Sequence, residues 1–330
     1  MRRRQFIAGV VGAVATSPWM VRAQQGDRVR RIGVLMSVSP DDPSRDSEMA
    51  AFRQGLEELG WTDGRSIQIH LRWTGADLDR ARAFAKELVE LKPDVLVARS
   101  TPTTLALKRE TDAIPIIFVN ISEPVESGLA QTLARPGGNV TGFTNFESSI
   151  GGKWLQLLKQ IDARITRAGI IYNPKTAPFA KLFLNSLQSA APTLSIRSVD
   201  LPVQAPSDIE TALANFASEQ GGSLVSIPDS FTIEHRSLII PLAARYRLPA
   251  VYSYPSATRS GGLMAYAVDT HDSMRRAAGY VDRILRGAKP AELPIQQPAQ
   301  FSFSVNLQTA KALGIEVPAT LIATADEVIE

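Results

Sequence analysis

Short runs of β-branched residues alternate with longer stretches of helical period from residue 31 onward, and this alternation occurs in two successive sets. The strand candidates are residues 32–36, 67–71, 95–98 and 116–119 in the first set and 169–172, 196–199, 224–227 and 250–252 in the second. Such alternation is typical of βα units around a parallel sheet. We therefore predict an α/β fold of two doubly wound parallel-sheet lobes joined by a hinge, with the strand carboxyl ends open to a crevice.

The last part of the chain belongs to neither set. Residues 261–266 form another strand-like run, followed by a helical stretch at 274–285 and a strand-like run at 301–305. We expect this part to cross back, complete the first lobe and end near the hinge. The predicted N-terminal lobe is residues 28–143 plus 262–296, and the predicted C-terminal lobe with a hinge-proximal tail is residues 144–261 plus 297–330.

Residues 1–23 are typical of an export signal. Three arginines precede an apolar run of about 14 residues, which is shorter than the roughly 18–20 residues that span a bilayer. The sequence VRA at 21–23 predicts cleavage after Ala23 and a periplasmic location. The segment RRQFI resembles the twin-arginine motif, although Ala8 stands where Lys is common, so Sec export stays open. The alternative is a cytoplasmic protein whose apolar N-terminus packs as a helix.

Net charge and cysteine content narrow the function classes. The whole chain carries a formal charge of +3, and removal of the four signal arginines leaves −1, so no nucleic-acid partner is expected. Cysteine is absent, which excludes disulfides, thiolate catalysis, Cys-ligated zinc and a lipid-anchor cysteine. We expect a freely diffusing monomer in the periplasm.

Catalytic motifs are missing from the sequence. The three histidines lack metal-ligand spacing, and no dinucleotide fingerprint, Walker loop or Gly-x-Ser-x-Gly elbow is present. We therefore predict no enzyme activity, no metal and no cofactor. Carboxylates are plentiful, however, and an exported α/β hydrolase stays open as an alternative.

Several phrases of the chain resemble, in order, the ABC transporter substrate-binding family that includes tryptophan/tyrosine-type proteins. They are AFRQGL at 51–56, ELGW at 58–61, LKPDV at 91–95, ARPGGNVTG at 134–142 and ILRGAKP at 284–290. The resemblance covers nearly all of the chain after residue 23. It implies the type I periplasmic-binding-protein fold, three crossings between the lobes and a small-molecule ligand held in the cleft. The implied partners are an inner-membrane ABC permease and its cytoplasmic ATPase.

Polar segments follow the predicted strands of the N-terminal lobe. Ser100, Thr101 and Thr103 offer hydroxyls beside the free N–H groups of the next helix, which suits a ligand carboxylate, with simple N-capping as the alternative. Ser122 and Glu123 stand where the family usually shows Ser-Asp-Pro or Thr-Asp-Pro. The longer Glu123 side chain either reaches the cleft or turns outward toward the helix dipole.

Polar residues also follow strands of the C-terminal lobe, namely Asn173 and Asp229. The resemblance implies that Asp229 accepts hydrogen bonds from a ligand ammonium, and the alternative is an N-cap of the next helix. The predicted lining is completed by Ser37, Asn145, Tyr254 and Tyr266. Phe143 and Phe231 are further candidates for aromatic walls.

The resulting hypothesis is a periplasmic substrate-binding component of an ABC importer that closes by hinge motion on its ligand. The resemblance favours an aromatic amino acid or a related aromatic or carboxylate-bearing metabolite. An exported enzyme and a sensor protein that feeds a membrane receptor are the alternatives. A repressor of the LacI type would share the lobes, but an export signal stands where its helix-turn-helix should be.

Overall fold

The chain forms one parallel and one mostly parallel sheet, each covered by helices, in a computed structural model that describes residues 28–42, 45–298 and 300–330. This arrangement confirms the predicted two-lobed α/β fold class. The expected signal at residues 1–23, with its twin-arginine motif and cleavage site, lies outside the described residues. None of the described helices is long and apolar enough to cross a membrane.

The first sheet contains five parallel strands in the order β2-β1-β3-β4-β5. These strands are β1 (Arg30–Met36), β2 (Ile67–Trp73), β3 (Val95–Arg99), β4 (Ile116–Ile121) and β5 (Val140–Thr144). The helices between them are α1 (Arg45–Glu58), α2 (Leu78–Glu90) and α3 (Thr101–Glu110). All five residues of β3 are buried, as expected for a central strand with helices on both faces.

The second sheet contains seven strands in the order β12-β11-β10-β9-β8-β6-β7. These strands are β6 (Arg167–Tyr172), β7 (Arg197–Pro202), β8 (Gly222–Ser226), β9 (Ala250–Tyr252), β10 (Met264–Ala267), β11 (Ser302–Asn306) and β12 (Glu327–Ile329). The helices before β10 are α4 (Gly151–Ile161), α5 (Ala180–Ala190), α6 (Pro206–Ala217), α7 (Ser230–Glu234), α8 (Arg236–Arg245) and α9 (Ser256–Arg259). After β10 come α10 (Thr270–Leu285), α11 (Leu307–Ala312) and α12 (Ala319–Thr324). Strand β11 runs antiparallel to β10, and the other pairs are parallel.

Strand β10 lies in the second sheet, whereas residue 262 was expected to begin the return to the first lobe. Met264 and Ala265 pair with β9, and all four residues of β10 pair with β11. The return takes place in the next element, α10, which packs against α1 and buries Met274, Ala277 and Val281 in the core of the first sheet. Hydrophobic periodicity identifies a strand but does not show which strands it pairs with. The sequence therefore predicted this strand but assigned it to the wrong sheet.

The segment ARPGGNVTG, residues 134–142, fixes the position of β5 through its contacts. The Asn139 amide donates to the carbonyl oxygens of Thr111 and Ile114 at 3.0 and 2.8 Å, which ties the loop to the end of α3. Gly142 lies so close to β4 that a Cβ atom would be 2.0 Å from the Phe118 oxygen. This segment of the resemblance therefore has a structural role.

Within the described ranges the chain passes between the sheets three times: after β5, between β10 and α10, and between Gln296 and β11. The first and third crossings are joined, because the Gln296 N–H donates to Gly142 O and the Thr144 N–H donates to Gln296 O, both at 2.9 Å. Neither lobe is a continuous stretch of chain.

Gly55 lets α1 and α10 approach each other closely. A Cβ at Gly55 would lie 2.8 Å from the Arg275 oxygen and 2.9 Å from the Ala278 Cβ. We expect Gly55→Ala to lower the free energy of unfolding by about 1–3 kcal/mol, because overpacking outweighs the gain in helix propensity. The matched control is Gly279→Ala in α10, where a Cβ meets nothing within 4 Å. That change should raise stability by about 0.5–1 kcal/mol. Urea denaturation of both variants makes the comparison, and equal stabilisation by the two alanines would contradict this packing.

Candidate functional site

A cleft lies between the two sheets at the carboxyl ends of their strands. It encloses about 530 Å³, counted out to its open mouth, and side chains from both lobes line it. Every parallel strand end leaves backbone groups and loop side chains at the same edge of its sheet, so polar residues after successive strands meet here. A lining shared by two lobes is typical of a small-molecule site.

The wall from the first lobe is built on strained backbone. Ser100 follows β3 with φ of 96°, and Asn120 near the end of β4 has φ of 58°. Glu123, shortly after β4, has φ of 50°. Residues other than glycine seldom adopt such angles, and they concentrate at functional sites. The strain turns the chain sharply from each strand into the loop that faces the cleft.

Asp229 organises the wall from the second lobe. Its carboxylate accepts hydrogen bonds from the N–H groups of Asn173 at 2.8 Å, Phe231 at 3.1 Å and Thr232 at 3.4 Å, and from the Thr176 hydroxyl. It therefore caps α7 and also joins the loop after β6 to the loop after β8. The four donors match the roughly four acceptor positions of a carboxylate.

Burial raises the pKa of Asp229 from its ordinary value of 3.8 to about 6, although the hydrogen bonds from Thr176, Asn173, Phe231 and Thr232 oppose the rise. The residue is 3% exposed. Desolvation disfavours the ionised form, and the four donors favour it. A pKa raised in this way by burial beside specific donors is typical of a functional site.

Several buried polar atoms on the cleft have no hydrogen-bond partner among the described residues. They are the hydroxyl oxygens of Ser230, Ser253 and Tyr254 and both amide atoms of Asn120. An unpartnered buried polar group costs about 1–3 kcal/mol, so a cluster of them at one cleft is unlike ordinary core structure. Burial also holds the pKa of Tyr254 well above its usual range, which keeps its hydroxyl neutral.

Six of the eleven predicted site residues line the cleft. They are Ser100, Thr101, Ser122, Asn145, Asp229 and Tyr254. Ser122 and Asn145 contact each other, since the Ser122 hydroxyl donates to the Asn145 oxygen at 2.7 Å. All six lie within three residues of the end of a strand, although the strand before Asn145, β5, was not predicted from the sequence.

The other five predicted residues lie behind or beside the cleft. Ser37 accepts a hydrogen bond from the Arg99 guanidinium at 3.2 Å, and the Thr103 hydroxyl donates to the Arg99 oxygen at 2.7 Å. Glu123 turns aside to accept from the Ser148 N–H at 2.6 Å. Asn173 contributes its backbone N–H to Asp229 and uses its side-chain oxygen on the Lys175 N–H. Tyr266 stacks on Phe301 with ring centroids 5.5 Å apart.

The cleft also contains residues that the sequence pattern did not single out. Those at strand ends or in the following loops are Arg99, Asn120, Thr176, Ser230, Ser253 and Thr270. Each lies within three residues of a predicted site residue or at the start of α10, so a wider window after each strand would have found most of them.

The aromatic walls differ from the expected ones. Phe146 and Phe179 line the cleft. Phe143 packs instead against Tyr280 in the first core, with centroids 4.8 Å apart, and Phe231 packs against His235 at 4.2 Å. Side chains alternate across a strand, so Phe143 within β5 faces the helices while Phe146 beyond it faces the cleft.

A second set of contacts, which we call the clasp, joins the loop after β1 in the first lobe to the end of α7 and the start of α8 in the second. Arg236 pairs with Asp42 at 2.8 Å, and the two side chains are 17% and 2% exposed. The Ser39 N–H donates to Glu234 at 3.1 Å. Burial and the neighbouring Asp42 raise the pKa of Glu234, while the Ser39 N–H, Arg236 and His235 oppose the rise. The clasp holds the two lobes together.

Metal-ligating side chains do not converge anywhere in the described ranges: no group of three or more His, Asp or Glu residues there is arranged to hold a metal ion.

Comparisons with known proteins agree with this geometry. A family model described as ABC transporter substrate binding protein matches residues 31–329. A tyrosine-binding protein from Clostridioides difficile is 26% identical over 288 residues, which are 87% of this chain and 81% of that protein.

Two solved structures are similar in fold. One is an ABC domain in complex with L-Trp from Streptococcus pneumonia, with 24% identity, a TM-score of 0.84 and coverage of 92% of this chain and all of that one. The other is a ligand-free, open substrate-binding protein with adhesive properties from Clostridium difficile, with 24% identity, a TM-score of 0.67 and coverage of 91% and 99%. These similarities confirm the predicted type I periplasmic-binding-protein fold.

The raised pKa of Asp229 predicts how its contribution to stability depends on pH. A raised pKa in the folded state favours folding below the unfolded pKa of about 3.8, and this gain is lost as the pH rises through about 6. We therefore expect Asp229→Ala to cost about 2–3 kcal/mol more at pH 4 than at pH 7, measured by urea denaturation.

Asp208→Ala is the matched control, because hydrogen bonds from the N–H groups of Gln204 and Ala205 lower the pKa of this partly exposed residue. Its contribution is present at neutral pH and is lost as the pH falls, so the cost of this substitution should change in the opposite direction. A pH-independent cost for Asp229→Ala would show that the carboxyl is not desolvated.

Proposed function

Because the chain belongs to the family of ABC transporter substrate-binding proteins, we propose that it captures a small molecule in the inter-lobe cleft and delivers it to an ABC importer. The family consists of binding proteins rather than enzymes, which confirms the prediction of no catalytic activity. The proposed partners are an inner-membrane permease and its ATPase. The proposed setting is the periplasm, reached by cleavage of a twin-arginine-type signal after Ala23, with the protein acting as a monomer.

The observation that carries this proposal is the cluster of unpartnered polar atoms on the cleft. Asn120 comes from the first lobe, and Ser230, Ser253 and Tyr254 come from the second. A ligand that hydrogen-bonds to these atoms removes a desolvation cost that the closed cleft otherwise bears. Since the atoms belong to both lobes, such a ligand favours closure.

The proposed ligand is an aromatic amino acid, with another aromatic or carboxylate-bearing metabolite as the second candidate. Phe146 and Phe179 supply apolar walls of the kind that suit a ring. Ser100 and Thr101 stand at the start of α3, where free N–H groups favour a carboxylate. A related protein is named for tyrosine, and a structural neighbour contains L-Trp.

Asp229 is the proposed counterpart of the ligand ammonium. Its carboxylate already accepts four hydrogen bonds, so an ammonium group would share this acceptor with Thr176 rather than find it free. The capping role and the ligand role therefore draw on the same two oxygens. A sensor protein that passes the binding signal to a membrane receptor would use the same cleft and the same closure.

The experiment on this function is ligand capture. We expect the purified protein to carry a small molecule that mass spectrometry of the denatured protein identifies, and titration of the emptied protein with that molecule to reduce the radius of gyration in small-angle scattering. At 100 times the dissociation constant the native state should gain about 2.7 kcal/mol, seen as a higher melting temperature. The ligand should be recovered unchanged. An unaltered radius of gyration at saturation would contradict closure, and chemical conversion of the ligand would favour the enzyme alternative.

The clasp gives a second prediction, because Asp42 and Arg236 lie outside the cleft lining but join the lobes. Asp42→Asn and Arg236→Gln should each enlarge the ligand-free protein in small-angle scattering and weaken ligand binding about three- to tenfold, since the closed state loses a partly buried ion pair. The double variant should be no weaker than either single one.

Arg245→Gln is the control, because this arginine forms an exposed pair with Glu210 inside the second lobe. It should leave both the scattering curve and the affinity unchanged. Additive losses in the double variant would show that the two residues act independently and not as a clasp.

A further inference from the structure

A buried ion pair lies under the first-lobe wall of the cleft. Arg99, the last residue of β3, contacts Glu48 of α1 through its Nε atom at 2.7 Å and its Nη2 atom at 3.0 Å. Its Nη1 atom donates to the Ser37 hydroxyl at 3.2 Å. Arg99 is 7% exposed and Glu48 is 2% exposed. Arg99 also lines the cleft, beside Ser100 and Thr101.

Stability alone does not account for this pair. Burying two charges costs several kcal/mol of desolvation, and well-packed apolar residues of similar volume often serve a core equally well or better. The sheet around Arg99 already has such a core, since the neighbouring strand residues Val97 and Ala98 are fully buried. Arg99 therefore adds a desolvation cost to the fold, and it does so at the end of β3 that faces the cleft.

The guanidinium group also keeps unused donors. Arginine has five N–H groups, and the hydrogen bonds to Ser37 and to the Glu48 Oε1 atom use two of them. The Nε atom lies 2.7 Å from the Glu48 Oε2 atom without hydrogen-bond geometry, so it forms an ion contact only, and three N–H groups make no hydrogen bond to the described residues. Glu48 fixes one edge of the planar group, so the remaining N–H groups point in a defined direction. A carboxylate is the acceptor that matches such a planar donor best.

The charges of the cleft are divided between the lobes. Among the described residues that line it, Arg99 is the one cation and lies on the first-lobe wall, while Asp229 is the one acid and lies on the second. A ligand with a negative group at one end and a positive or neutral group at the other would align with this division. The orientation of the bound molecule would then follow from two residues on opposite walls.

We propose that Arg99 determines specificity by selecting ligands that carry a carboxylate, with Glu48 as the residue that positions it. This deepens the proposed function and rests on it. The contact places the ligand carboxylate between the Arg99 guanidinium and the N-terminus of α3. Glu48 competes for the same guanidinium, so it holds the side chain in place at some cost in affinity.

The test compares two substitutions that should change the affinity for a carboxylate ligand in different directions. Arg99→Gln should weaken binding of a carboxylate ligand about tenfold to a hundredfold and change binding of the matching primary amide by threefold at most. Glu48→Gln removes the competing charge and keeps an acceptor for the guanidinium, so it should leave carboxylate affinity equal or increase it. A purely structural pair would lower stability in both variants and would not change the preference of acid over amide.

The probes are L-tryptophan, L-tyrosine and their primary amides, together with the molecule that the purified protein carries, all titrated calorimetrically. Arg167→Gln is the control, because this buried arginine at the start of β6 binds the carbonyl oxygens of Phe216 and Glu219 away from the cleft. It should reduce the melting temperature without altering the ratio of acid to amide affinity.

The outcomes separate this proposal from the function on which it rests. An unchanged acid-to-amide ratio in Arg99→Gln, or a carried ligand without an acidic group, overturns the role of Arg99 and leaves the binding function standing. A protein that carries no ligand, binds none of the probes and does not close contradicts the binding function, and the role of Arg99 fails with it.

Discussion

The packing of α10 against α1 is the constraint on which the two-lobed arrangement depends. The helix follows a strand of the second sheet, yet its apolar face fills the core of the first. The first lobe is therefore incomplete until the chain has passed through the second, and the contact at Gly55 sets how closely that helix docks. The two lobes depend on each other for folding, but each has its own hydrophobic core. They can therefore rotate relative to each other about the crossings that join them.

Both charged side chains that line the cleft already have polar partners within the protein before a ligand binds. Glu48 and Ser37 engage Arg99 on one wall, and four donors engage Asp229 on the other. The cleft side chains that make no hydrogen bond at all to the described residues are neutral, namely three hydroxyl groups and one amide. Neutral donors and acceptors fix orientation and tolerate burial, whereas the two balanced charges contribute selectivity at a smaller desolvation cost than free ones.

The sequence predicted the repeated βα units well because strand and helix periods differ and recur on a regular spacing. It missed β5, since residues 140–144 follow a run of turn residues and include Gly142, which weakens any strand pattern. For the site, position after a strand was informative but side-chain direction was not. Thr103 and Glu123 stand at suitable positions, but hydrogen bonds to the Arg99 oxygen and the Ser148 N–H turn them away from the cleft. Arg99 was overlooked because it belongs to the strand rather than to the loop.

The clasp and the unpartnered cleft atoms contribute to the free energy of closure with opposite signs. The Asp42–Arg236 pair and the Ser39–Glu234 hydrogen bond favour the closed arrangement in the absence of ligand. The buried hydroxyls of Ser230, Ser253 and Tyr254 and the Asn120 amide disfavour it, at about 1–3 kcal/mol for each unpartnered group. A ligand that satisfies these atoms removes the opposing cost, and the same clasp then stabilises the closed complex.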